Sequence, residues 1–82
     1  MAHHYEDPVV FMATSEFCDV WELTLPEYSA SFVTAFKKRV PPECRNWDPR
    51  EKKWSVSEKY LAVAEELVTE YFPGAEIERC EP

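Results

Sequence analysis

The stretch RNWDPREKKWSV, residues 45–56, decides how the chain is read. Asp48-Pro49-Arg50-Glu51 suits a type I turn, because an aspartate at the first position accepts backbone hydrogen bonds and a proline at the second presets φ. Tryptophans flank this turn, Trp47 on one side and Trp54 on the other. Two such segments joined by about four or five residues predict a β-hairpin. Its tip is basic, carrying Arg50, Lys52 and Lys53. Trp54 shares a strand face with Val56, and an aromatic pair that pins a hairpin to helices is ordinary packing, so both tryptophans are expected as core anchors.

Upstream of the hairpin, residues 27–40 read EYSASFVTAFKKRV, which sets Tyr28, Phe32, Val33, Phe36 and Val40 along one helical face. Pro41 and Pro42 stop that helix, since proline lacks an N–H and disfavours a helical residue before it. Earlier still, Val9 to Ala13 is a short apolar run, and Phe17 to Leu25 alternates Phe17, Trp21, Leu23 and Leu25 against Asp19, Glu22 and Thr24, with Val20 and Cys18 breaking the polar face. This period-2 pattern predicts two strands, with Ser15-Glu16 as a tight connection and Pro26 closing the second.

Downstream, Ser57 is expected to cap a second helix, EKYLAVAEELVTEYF, residues 58–72. Its inner face reads Tyr60 or Leu61, then Ala64, Leu67, Val68 and Tyr71, with Glu65, Glu66 and Glu70 outward. Pro73-Gly74 ends it, and AEIERC, residues 75–80, is a candidate edge strand anchored by Ile77. The order β-β-α-β-β-α, with a candidate C-terminal β, predicts an α+β domain: a small antiparallel sheet with two helices on one face.

At 82 residues the chain supports one domain, residues 1–82, with residues 1–7 expected as a flexible N-terminus. A composition 45% hydrophobic and 15% aromatic builds a core and argues against disorder. Cys18, Cys44 and Cys80 are spaced too widely for a C-x-x-C motif, and their odd number fits a disulfide scaffold poorly; reduced thiols in a cytoplasm are expected, with Cys18 and Cys44 as small buried hydrophobes. No stretch approaches the ~20 apolar residues of a membrane span, and the start lacks the pattern of a signal peptide. His3 and His4 are expected to be solvated terminal residues.

The formal net charge of −7 is unevenly distributed. Residues 1–36 contribute −6 and residues 60–82 contribute −5, while residues 37–59 contribute +4. Eight of the nine basic residues therefore fall in that central window, a clustering that presents a positive face on an acidic molecule. Lys37, Lys38 and Arg39 have a helix-dipole reason to sit at the end of the first helix; Arg50 to Lys53 have none.

Catalytic constellations are missing from the sequence. A single glycine excludes a Gly-rich phosphate loop, and H-E-x-x-H, G-x-S-x-G and clustered Cys/His ligands do not occur. Cys44 has no fixed histidine to activate it, and Glu65-Glu66 reads as a solvated helix face. No enzyme, cofactor or metal site is expected.

From Trp21 to Val68, a strand, a helix containing Phe32, Phe36 and Lys37, the hairpin RNWDPREKKWSV and a following helix together resemble the HARP-type module found beside annealing-helicase motors and in small phage or plasmid proteins. The most specific part is W-D-P-x-x-K-x-W, at Trp47, Asp48, Pro49, Lys52 and Trp54. This resemblance implies a module without catalytic activity that engages nucleic acid, preferentially at junctions between single and double strands.

Two functions compete. The first is a noncatalytic nucleic-acid-binding accessory domain that takes forked or single-stranded DNA through Arg45, Trp47, Arg50, Lys52, Lys53, Lys37 and Lys38: the cations neutralise phosphates, and an exposed aromatic stacks on an unpaired base. The second is an acidic protein-interaction module, a phage-type inhibitor or adaptor or a nucleic-acid mimic, that meets a basic partner through Glu65, Glu66, Glu70, Glu76 and Glu78. A monomer is the simpler expectation for either.

Overall fold

The computed structural model describes residues 5, 7–14, 16, 17 and 19–81. Strands β1 (Val9–Ala13) and β2 (Val20–Thr24) lead to helix α1 (Ala30–Arg39). The hairpin strands β3 (Arg45–Asp48) and β4 (Lys53–Ser57) follow, then helix α2 (Leu61–Tyr71) and a last strand β5 (Ile77–Cys80). The fold is α+β, and the strands form one sheet in the order β3-β4-β2-β1-β5.

Neighbours among β1 to β4 are antiparallel, as expected, but β5 joins β1 in parallel, so the sheet is mixed. The direction follows from the connections. Parallel strands need a crossover of about a dozen residues or more, and each helix supplies one: α1 carries the chain from β2 to β3, and α2 carries it from β4 to β5. A helix between β4 and β5 returns the chain to the end of the sheet at which β4 began, which makes β5 run alongside β1.

Two rungs of the sheet show how side chains sort. Trp47, Trp54, Leu23, Phe11 and Arg79 stand side by side across the five strands on the helix-facing side. Asn46, Ser55, Glu22, Met12 and Cys80 form the neighbouring rung on the opposite side. The helices cover the middle of the first rung, where Leu23 and Phe11 join Phe32, Phe36, Leu67 and Val68 in one core. The ring of Phe36 stacks on Phe32 at 5.6 Å and meets Trp54 edge-on at 5.1 Å, linking α1 to the hairpin.

Helix α1 begins later than the apolar periodicity predicts. The Ser29 hydroxyl accepts a hydrogen bond from the Phe32 amide at 3.1 Å and caps the helix, so Tyr28 lies outside it and is 79% exposed. Ser29→Ala is expected to lower stability by about 1 kcal/mol, read as a lower urea midpoint with an unchanged slope. Helix α2 also starts differently. Ser57 makes no side-chain cap, and a single 3₁₀ turn over Glu58–Tyr60 leads into the helix at Leu61. At its far end, Gly74 takes a left-handed φ of 87°, the conformation that ends helices at glycine.

Strand β2 starts at Val20, three residues after the expected Phe17, whose side chain is 79% exposed. Asp19 interrupts the apolar alternation there, and the β1–β2 connection is longer than a tight turn, closed by Thr14, whose N–H and hydroxyl both donate to the Val20 carbonyl. Ser15, Cys18, His3 and His4 lie outside the described residues. Tyr5, in the segment expected to be flexible, packs edge-on against Phe72 at 5.6 Å. Cys44 and Cys80 are free thiols, each half-buried. Among the described residues, no helix is long and apolar enough to cross a membrane.

Candidate nucleic-acid interface

The hairpin turn forms as its sequence predicts. The Asp48 carboxylate accepts hydrogen bonds from the amides of Arg50 at 2.9 Å and Glu51 at 3.3 Å, and Pro49 to Lys52 span the gap between β3 and β4. The loop closes with an unusual residue: Lys52 adopts φ 56°, the left-handed region that favours glycine. For a residue with a Cβ this conformation costs about 1 kcal/mol or more.

The two tryptophans part company. Trp54 is 7% exposed, but Trp47 is 44% exposed, so the expectation that both anchor the core holds for Trp54 alone. The cause is position in the sheet. β3 is an edge strand, and the helices reach over β4 and β2 without covering the outermost member of the rung. Trp47 leans on Trp54 with ring centroids 5.3 Å apart and leaves the rest of its surface open.

That open surface is one wall of a groove of about 620 Å³. Its floor is Leu23 and Trp54, and Leu25 and Val33 extend the apolar lining. Tyr28, freed from the helix by the Ser29 cap, also lines it with Glu27, and the two basic residues in the lining are Lys37 and Lys52. Lys37 extends from α1 with its ammonium 5.9 Å from the centroid of the Trp54 ring, a cation–π geometry, while Lys52 comes from the hairpin turn.

Three of the seven residues expected at the basic site, Trp47, Lys37 and Lys52, therefore converge, and the other four do not. The side chain of Arg45 turns inward, its Nε donating to the Val40 carbonyl at 2.9 Å and tying the start of β3 to the end of α1. Lys53 lies on the opposite side of the sheet, 3.9 Å from the Glu22 carboxylate. Arg50 at the tip and Lys38 on α1 are exposed but lie outside the groove lining. Lys53 is the first residue of β4 and faces away from the helix-facing Trp54 that follows it, because successive strand positions point to opposite faces, whereas Lys52 belongs to the turn.

The acidic set is scattered. Glu65 pairs with Arg79, whose guanidinium also sits 5.7 Å from the Trp21 ring centroid, and Glu66 pairs with Arg39 at 3.2 Å. Glu70 is on the exposed side of α2, and Glu78 belongs to the opposite side of the sheet, beside Val10. Glu76 is exposed in the approach to β5. Two of the five carboxylates are thus committed within the molecule, and the rest share no single face.

Sequence reading missed Tyr28 and Glu27 as groove residues. The signal was present in Ser29, a cap residue three positions before Phe32, which leaves both residues outside the helix. Comparison with family models, with curated proteins and with solved structures finds no match to this chain.

Proposed function

We propose that the protein is a noncatalytic nucleic-acid-binding accessory module that prefers strands with unpaired bases, including junctions of single and double strands. The observation that carries this reading is the convergence of an exposed tryptophan with Lys37 and Lys52 around one apolar groove. An open aromatic face offers stacking to a base, and paired cations offer neutralisation to phosphates. The resemblance of the hairpin to HARP-type modules points the same way.

A net charge of −7 does not forbid this contact. At physiological ionic strength the Debye length is about 8 Å, so carboxylates farther away are largely screened, and the groove lining itself carries two lysines against one carboxylate, Glu27. The consequence is binding that is weak in general and strongly salt-dependent. Fluorescence anisotropy of labelled single-stranded, forked and duplex DNA at two salt concentrations tests it. Fork and single strand are expected to bind more tightly than duplex, with affinity falling as salt rises; no binding even at low salt would refute the reading.

Two double variants locate the contact. Lys37→Ala with Lys52→Ala is expected to flatten the salt dependence on single strands by about 1.4 units in log–log slope, from about 0.7 per phosphate contact. Lys53→Ala with Arg45→Ala removes the same formal charge outside the groove and is expected to leave that slope nearly unchanged. Equal slopes for the two variants would place the contact elsewhere.

A further inference from the structure

We infer that the groove holds one unpaired nucleotide of a polynucleotide, its base against Trp47 and its flanking phosphates on Lys37 and Lys52; this rests on the nucleic-acid reading of the same site. The lining combines two chemistries. Leu23, Leu25, Val33 and the aromatic rings give it apolar surface suited to the faces of a planar base, and Lys37 and Lys52 give it positive charge from two different elements. A fully paired duplex hides its base faces in the stack and presents sugar and phosphate, which would leave the apolar floor unfilled.

Lys52 supplies an independent reason. Its left-handed backbone would be relaxed by glycine, so the lysine contributes nothing to the turn that glycine would not provide better. What lysine adds is a cation lining the groove. A strained residue whose side chain serves a recess is the pattern of a site held ready for a ligand. The two hydrogen bonds to Asp48 hold the turn that leads into this residue, so less backbone ordering is required on contact.

The test uses three labelled duplexes of one sequence: fully paired, with a single extra unpaired base, and with an abasic residue at that same extra position. The unpaired base is expected to bind roughly 5- to 150-fold more tightly than the abasic form, the range of one base–aromatic stack. Lys52→Gly, which suits the turn, is expected to weaken binding of the unpaired-base duplex and lower its salt slope by about 0.9. Lys52→Asn, which also tolerates left-handed φ, is expected to match it, and circular dichroism confirms that both variants are folded. Equal affinity for the unpaired-base and abasic duplexes, with binding otherwise intact, overturns the single-nucleotide inference and leaves the broader reading standing. Failure of wild type to bind any of the three, or single strands, overturns both. Wild-type affinity in the two Lys52 variants removes the lysine from the site.

Discussion

Phe36→Ala is expected to lower the unfolding free energy by about 3–5 kcal/mol. Phe36 is fully buried and joins three parts of the fold at once: it stacks on Phe32 within α1, meets Trp54 of the hairpin, and belongs to the core that α2 completes through Leu67 and Val68. A chain of this length has a total stability of roughly 4–12 kcal/mol, so the variant should lose at least about a quarter of it. Thermal denaturation should show a Tm lower by at least about 12 °C, given about 4–8 °C per kcal/mol for a domain of this size. A fall of only a few degrees would mean that the hairpin and α1 are not joined through this ring.

The parts of this fold that were legible in advance are those specified locally. Asp48-Pro49 specifies a turn whoever its neighbours are, and the alternation around Trp21 and Leu23 places those side chains in the core without knowledge of the partner strands. What the sequence does not carry locally is which strand ends up at the edge. Trp47 and Trp54 occupy mirror positions in one hairpin and stand directly opposite each other. Only the pairing of β4 with β2 decides that Trp54 becomes interior and Trp47 peripheral. The same dependence explains the candidate site. Lys37 and Lys52 are separated in sequence by the end of α1, residues 41–44, β3 and most of the hairpin turn, and they share a groove because α1 lies over the sheet beside that hairpin. The parallel entry of β5 was equally hidden, since its four residues name no neighbour and the direction is imposed by the α2 crossover.

Trp47→Ala should separate binding from folding in a way that Trp54→Ala cannot. Trp54 is almost wholly buried against Phe36, so its loss belongs with the core truncations, at about 3–5 kcal/mol of stability. Trp47 has nearly half its surface open and one aromatic neighbour, Trp54, among the described ring contacts. An aromatic pair contributes about 0.5–1.5 kcal/mol, so Trp47→Ala should leave the domain folded, with a Tm lower by several degrees. If an unpaired base stacks on this ring, affinity for single strands should nevertheless fall by about 1–3 kcal/mol, a loss many times larger than the change in folded fraction explains. Removing the ring takes away no charge, so the salt slope should stay at its wild-type value, in contrast to the lysine double variant, which flattens it. Anisotropy titrations at several salt concentrations, on protein shown by circular dichroism to be folded, measure both quantities. Undiminished affinity in folded Trp47→Ala would make the exposed tryptophan a packing residue of an edge strand, and the groove would lose the aromatic wall on which its assignment to a base depends.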